Sequence, residues 1–481
     1  MKQKESLVLY PSPGIGHLVS MVELGRHILK YYPSFSITIL ITPPPFNPGS
    51  TAPYIKHISS TIPSIIFHNL PAVEIPPESF TSAHHEAVLF DVVLRNNHNV
   101  EQALLTISET STIRALIIDM FCTPALDVGA SLNIPTYYFF TSGAVFLSFF
   151  LYFPIIHSTT TESFRDLDSH FHFPGIPPVH ARDFPKPSLD RADMAYQGFL
   201  NNAMRLPESK GILVNTFEAL EPQPLKAISD GLCIPNGPTP PVYCIGPLIT
   251  DRKGTNGAGG GNTSASIDCL TWLDTQPSRS VVFLCFGSLG LFSAEQLTEI
   301  AIGLEKSGQR FLWVVRNPPT EDKSWRNLAP PEPDLDALLP KGFLDRTKDR
   351  GLVVKQWASQ VDVLNKESVG GFVSHCGWNS TLEAICAGVP MVAWPLYAEQ
   401  RLNRLFLVEQ VKLALPMDES EGGFVSAAVV EHRVKELMES EEGKAIRERT
   451  LAMRDAARAA MAEGGSSRVE LARLAELWSQ G

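Results

Sequence analysis

Residues 357–400 read WASQVDVLNKESVGGFVSHCGWNSTLEAICAGVPMVAWPLYAEQ. Two short apolar runs, VGGFVSH and PMVAWP, flank the helix-like TLEAICAG. Strand, helix, strand in that order predicts parallel strands joined by a crossover helix. The alternation continues outward. Immediately upstream lie SVVFLCFGS, SAEQLTEIAIGLEKSG, FLWVVR and GLVVKQW. Near the start, SLVLYP leads through a Gly-rich turn to LVSMVELGRHILKYY and SITILIT. ALIIDM then precedes PALDVGASL and IPTYYFF. The expectation is an α/β chain with two Rossmann-like, doubly wound domains facing across a cleft. At 481 residues it is too long for one ordinary core. The Gly/Ser-rich GTNGAGGGNTSAS suits an interdomain linker. The expected division is 1–248, a linker at 249–266, 267–455, and a helical tail at 456–481. Residues 317–340 form a Pro- and acid-rich surface insertion.

The net charge of -11 argues against nucleic acid, which needs basic stripes. It also means that any phosphate site must be local, built from backbone N–H groups at a helix N-terminus. The seven cysteines are scattered with no C-x-x-C pair, which suits reduced thiols in the cytoplasm and no zinc site. The N-terminal MKQKESLVLYPSP enters a strand directly and lacks a signal-peptide core. Residues 134–156 carry no charge, but Pro135, Gly143 and Pro154 punctuate them. A buried strand followed by a buried helix is expected there, not a membrane span.

In open α/β sheets, ligands bind beyond the C-terminal ends of the strands. His17 follows SLVLYP, Asp119 ends ALIID, Ser288 follows VVFLCFG, Trp357 follows GLVVKQ, and His375 ends GGFVS. All five fall where that rule places a ligand. A lone His at a helix start, or a lone Asp at a strand end, is ordinarily a cap. Together His17 and Asp119 would make a base and its orienting carboxylate. PGIGHL half-matches a dinucleotide fingerprint, with Gly14 and Gly16 present but Val19 at the third position. SITILIT ends at Thr42 before three prolines, with no ribose-binding acid, so a nicotinamide cofactor is not expected. Asp166-Leu-Asp168 is a D-x-D triplet of the kind that can hold a metal. It recurs at Asp334-Leu-Asp336 inside the insertion, and chance explains both. Ser380-Thr-Leu-Glu383 reads as a capping box opening a helix that Gly388 and Pro390 close. Ahead of it, Gly377 allows close approach to first-turn N–H groups, where a diphosphate would fit with His375 as a further donor.

The 357–400 stretch resembles, over its whole length, the signature box of plant family 1 UDP-dependent glycosyltransferases, and the likeness extends along essentially the entire chain. The family implies a GT-B fold, with an N-terminal acceptor domain, a C-terminal donor domain and a last helix crossing back to the first. His17 and Asp119 match its catalytic dyad. By the resemblance, Trp357 stacks on uracil and the Ala358 backbone reads its edge. Gln360 and Glu383 bind ribose. His375, Asn379, Ser380 and Ser288 hold the diphosphate. Trp378, Glu399, Gln400 and Thr141 contact the sugar. Ser359 departs from the family's usual Pro.

Gln400 resembles the glucose-preferring form, and Trp378 stands where glucuronosyl-transferring relatives carry Arg, so UDP-glucose is the implied donor. PSPGIGHLVSMVELG, IIDMFCTPALDVG and IPTYYFFTSGA look most like the branch acting on chalcones, dihydrochalcones and flavonoids. The implied acceptor wall comprises Gly16, Phe121, Ser142 and Phe146. The expected activity is inverting, metal-independent glucosylation of a phenol by a cytoplasmic monomer whose partners are small molecules and which needs no cofactor. C-glycosylation, another UDP-sugar or a non-flavonoid acceptor stay open on the same fold. So does a catalytically silent protein that binds a sugar nucleotide or another small molecule, although a pure binder has no need of a base.

Overall fold

The computed structural model describes residues 4–45, 51–82, 84–250, 264–319 and 331–480. Most of the Gly/Ser-rich stretch and the middle of the insertion lie outside these described residues. The chain divides into two units: Met1–Thr250 with Ala459–Gly481, and Asp251–Arg458.

In the first unit, β1 (Lys4–Tyr10), β2 (Ser36–Ile41), β3 (Ile65–Asn69), β4 (Ser111–Asp119) and β5 (Thr136–Phe140) are followed by a two-residue hairpin, β6 (His170–Phe171) with β7 (Val179–His180). After it come β8 (Ile212–Val214) and β9 (Val242–Cys244). Seven of these strands form one sheet in the order β3-β2-β1-β4-β5-β8-β9, with every pairing parallel. Parallel strands are covered on both faces, so they read as unbroken apolar runs. Leu7 to Tyr10 and Ala115 to Ile118 are fully buried accordingly. The aromatic helix Ala144–Ser158 is buried nearly all round, as expected of a core helix with no polar face. No helix among the described residues is long and apolar enough to cross a membrane. The last helix, Ser466–Gln480, belongs to this unit. Its Trp478 ring meets Phe35 and Tyr137 edge-on, and Ser467 Oγ donates to the Gly246 carbonyl at 2.6 Å.

The second unit holds β10 (Val281–Cys285), β11 (Arg310–Val315), β12 (Gly351–Lys355), β13 (Val369–Ser374), β14 (Met391–Ala393) and β15 (Ala414–Pro416). They form a parallel sheet in the order β12-β11-β10-β13-β14-β15. Its core buries Trp313 and Trp394 with Phe286, Phe311 and Phe343. The helices Ala294–Ser307 and Ala427–Glu439 cross where Gly303 lies against Val430.

Both sheets run outward in opposite directions from one central pair, β1 with β4 in the first and β10 with β13 in the second. At such a switch point the connections leave to opposite sides and open a crevice at the strand C-termini. His17 follows β1 and Asp119 ends β4. Ser288 follows β10 and His375 follows β13.

Candidate active site

In the first unit, His17 sits in the first turn of the helix Ile15–Tyr31. Its Nδ1 lies 2.8 Å from Asp119 Oδ2. The Asp119 carboxylate is fully buried, whereas the His17 side chain keeps 28% of its surface. The second oxygen, Oδ1, accepts from the Phe121 N–H at 3.1 Å. Both carboxylate oxygens are thus engaged by donors, and the imidazole is held with Nε2 turned away from the acid. The Phe121 ring stands 5.7 Å from the imidazole, and Gly16 is exposed with open space above it.

Thr141 and Ser142 follow β5 in the turn that opens the helix Ala144–Ser158. Thr141 is half-buried and Ser142 buried. The turn is fixed by Glu221, which sequence reading missed. Its carboxylate oxygens accept the N–H groups of Ala144 and Val145, each at 2.8 Å. Burial pushes this carboxyl up to about 7, against those hydrogen bonds. Phe146 lies elsewhere than on an accessible wall. It is 2% exposed, inside a cluster with Phe140, Phe149, Phe150 and Phe199.

In the second unit, His375 is buried at the start of the turn after β13. Two glycines make room for its ring. A Cβ on Gly287 would stand 2.6 Å from His375 Nε2, and one on Gly377 only 2.5 Å. Gly287 also has a φ of 72°, which disfavours any side chain there. Desolvation pulls the imidazole down to about 4, so it is neutral at ordinary pH. A neutral ring still donates one N–H. Its buried Nδ1 has no hydrogen-bond partner among the described residues.

The capping box is corrected. The helix runs Trp378–Ala387 with Gly377 as N-cap, so Ser380 and Glu383 lie inside it. Both are instead engaged by Gln360, 20 and 23 residues upstream: its Nε2 donates to Ser380 Oγ at 2.8 Å and to Glu383 Oε2 at 2.6 Å. The first-turn N–H groups therefore belong to Trp378, Asn379 and Ser380, which begin three residues after His375. Burial raises the Glu383 carboxyl to about 7, with the Gln360 bond opposing.

Trp357 is half-exposed just beyond β12, and its N–H returns to the Lys355 carbonyl at 2.8 Å. Ala358 is buried. Ser359 has a φ of -69°, the value a proline would impose. Its hydroxyl donates to Asp362 at 2.5 Å. Trp378 is buried, its ring 6.3 Å from Phe406. Gln400 is also buried, and its Oε1 accepts from the N–H groups of Leu396 and Tyr397 at 2.8 and 2.9 Å. That oxygen closes its own loop, and the Gln400 side chain also hydrogen-bonds the Tyr397 hydroxyl. Asn403 Nδ2 bridges the Cys376 carbonyl at 2.9 Å and Glu399 Oε1 at 3.4 Å, joining the 399–403 segment to the His375 turn.

Ser288 is exposed on its turn. Behind it lies the second missed residue, Arg316, directly after β11. Its guanidinium donates to the carbonyls of Ser288 and of Gly287, and burial lowers its pKa. The strand-end rule that found Ser288 applies equally to this position. As for the D-x-D triplet, Asp168 accepts from His180 Nε2 at 2.9 Å and Asp166 pairs with Arg165. Asp334 caps a short helix through two N–H groups. Among the described residues, no group of three or more His, Cys, Asp or Glu side chains could hold a metal ion.

A family model described as UDP-glucoronosyl and UDP-glucosyl transferase matches residues 258–445. The chain is 54% identical over 471 residues to a phloretin 2'-O-glucosyltransferase of Malus domestica, covering 96% of this chain and 97% of that one. It is 49% identical over 487 residues to an anthocyanidin 5,3-O-glucosyltransferase of a Rosa hybrid cultivar, covering 99% of each. Phytolacca americana UGT2, solved with UDP-2fluoro-glucose and pterostilbene, superposes with a TM-score of 0.86 at 38% identity, over 99% of this chain and 100% of that chain.

Proposed function

As this chain belongs to the plant family 1 UDP-dependent glycosyltransferases, we propose that it moves glucose from UDP-glucose onto a phenolic hydroxyl of a flavonoid, chalcone or dihydrochalcone, with inversion at the anomeric carbon. Relatives that act on phloretin and on anthocyanidins support that acceptor class. The observation that carries the mechanism is the 2.8 Å contact between His17 and a fully buried Asp119.

His17 Nε2 takes the hydroxyl proton as the phenolic oxygen attacks the anomeric carbon. The bond from that carbon to the diphosphate breaks, and UDP leaves with the electron pair. Asp119 balances the imidazolium that forms. A simple phenol lies about 3.5 units above free His, an uphill transfer of roughly 5 kcal/mol. A buried carboxylate against Nδ1 reduces that gap. On the donor side, Trp357 offers a face to uracil, and Gln360 with Glu383 is prearranged for ribose hydroxyls. Ser288, His375 and the Trp378–Ser380 N–H groups suit the diphosphate, whose negative charge grows as the bond breaks. Glu399 and the Gln400 amide suit sugar hydroxyls. No metal ion enters this scheme.

The test incubates the protein with UDP-glucose and a panel of flavonoids, dihydrochalcones and simple phenols under chelation. Mass spectrometry then seeks an added hexose, and NMR reads the anomeric configuration. A β-glucoside from the wild type, and none from His17→Ala that still binds UDP, is expected. Retained turnover in H17A would remove the base assignment.

A further inference from the structure

The wall beside His17 does not end at Phe121. Its ring meets Phe90 at a centroid distance of 5.6 Å and 70°. Phe90 lies on the helix His85–Arg95 and, like Phe121, is only partly buried. Behind Phe90 runs the helix Met194–Arg205, which carries Gly198. A Cβ on Gly198 would stand 2.2 Å from Phe90 Cδ2 and 2.8 Å from both Cγ and Cε2. Carbon atoms pack at roughly 3.5–4.0 Å, so a methyl group there would displace something by more than about 1 Å.

The helix is poorly placed to yield. Asp193 caps it by accepting from the Ala195 N–H, and the same carboxylate accepts from Ser82 Oγ, each at 2.7 Å. Its buried face carries Tyr196 and Phe199 into the aromatic core. The side chain left to move is Phe90, whose ring also borders Phe121.

We infer that Gly198 sets the length of the acceptor site: the missing side chain lets Phe90 lie back, and the room so left admits the second ring of a two-ring phenol. This rests on His17 as the acceptor-binding base. With its reacting hydroxyl at His17, the first ring runs beside Phe121 and the second reaches Phe90. A one-ring phenol ends at Phe121 and does not sense Gly198. A shift of about 1 Å in a bound reactant costs up to a hundredfold in rate.

The experiment compares kcat/KM for phloretin and for 4-nitrophenol in the wild type, G198A, F90L and the double variant, with the KM for UDP-glucose and the unfolding midpoint alongside. The phloretin-to-nitrophenol ratio should fall at least tenfold in G198A. It should rise in F90L and return to near the wild-type value in the double variant, with the UDP-glucose KM unchanged. A ratio constant within twofold across all variants overturns the inference, as does an equal loss on both acceptors. If G198A fails to fold, the F90L ratio decides alone. A wild type inactive on both acceptors would instead sink the base assignment, a separate outcome.

Discussion

Replacing Asp119 with Asn changes a charge without changing a shape. The native carboxylate accepts from two donors at once, the His17 ring and the Phe121 N–H. An amide has one oxygen. If that oxygen stays on Phe121, the amide NH2 faces His17 Nδ1, which must then become an acceptor. The ring proton moves to Nε2, and the nitrogen proposed to take the phenol's proton already carries one. If the oxygen turns to His17, the Phe121 N–H is buried against another donor. Either way the negative charge is gone. At a separation near 4 Å and an effective dielectric of about 20, that charge stabilises the imidazolium by ~4 kcal/mol, about three orders of magnitude in rate. The assay is kcat for phloretin and for 4-nitrophenol at pH 8, with UDP affinity measured in parallel. D119N should lose roughly 10³-fold on phloretin, whose reacting hydroxyl needs the base, and markedly less on the acidic nitrophenol, which arrives largely ionised. UDP affinity should be unchanged. A loss under tenfold on phloretin, or an equal loss on both acceptors, would refute the reasoning.

The pH dependence of donor binding should come from Glu383 and not from His375. The first is raised to about 7 and the second lowered to about 4. The KM for UDP-glucose should therefore climb as pH falls through about 7 and be flat in E383Q; an unchanged profile in that variant would count against it. Stability follows the opposite sign. Above pH 4.5 the unfolded chain releases the Glu383 proton while the folded chain keeps it until about 7, so this group lowers stability as pH rises through that window. E383Q should flatten the slope of the unfolding midpoint over that range. Arg316→Met should weaken UDP binding by about 10- to 100-fold, since hydrogen bonds from a charged donor contribute ~1.5–3 kcal/mol. Calorimetry with UDP reads it directly, and a change under twofold would remove Arg316 from the donor site. Ser359→Pro should fold and bind UDP as the wild type does, the entropy gain of ~0.4–1 kcal/mol offsetting the lost Asp362 bond. A midpoint several degrees lower would show that the hydroxyl matters more than the backbone angle.

The parallel sheets were legible because buried parallel strands announce themselves as apolar runs, and because strand-end residues fall at ligand crevices. His17, Asp119, Ser288, Trp357 and His375 stand out as candidates on that ground. What escaped depends on contacts distant in sequence. The three-residue strands β8 and β15 are too short for any periodicity to register. Ser380 and Glu383 carry the spacing of a capping box, yet Gln360 engages them, and no local pattern predicts a partner 20 and 23 residues upstream. Glu221 holds a turn 76 residues before it. Phe146 sits in a run of aromatics where sequence cannot tell a pocket wall from a core. His375 is neutral because it is buried, a fact of packing that its neighbours in the chain do not encode.

The return of the helix Ser466–Gln480 to the first unit fixes an order of events during synthesis. The seat of Trp478, made by Phe35 and Tyr137, is translated early. Its occupant is translated only after the roughly two hundred residues of the second unit have been added. At about 5–20 residues per second, that leaves the seat open for on the order of ten to forty seconds. Over that interval the place between Phe35 and Tyr137 lacks its Trp478 ring. The chain thus waits for that contact when it is already half made, and the helix that supplies it is also the one that completes the unit bearing His17 and Asp119.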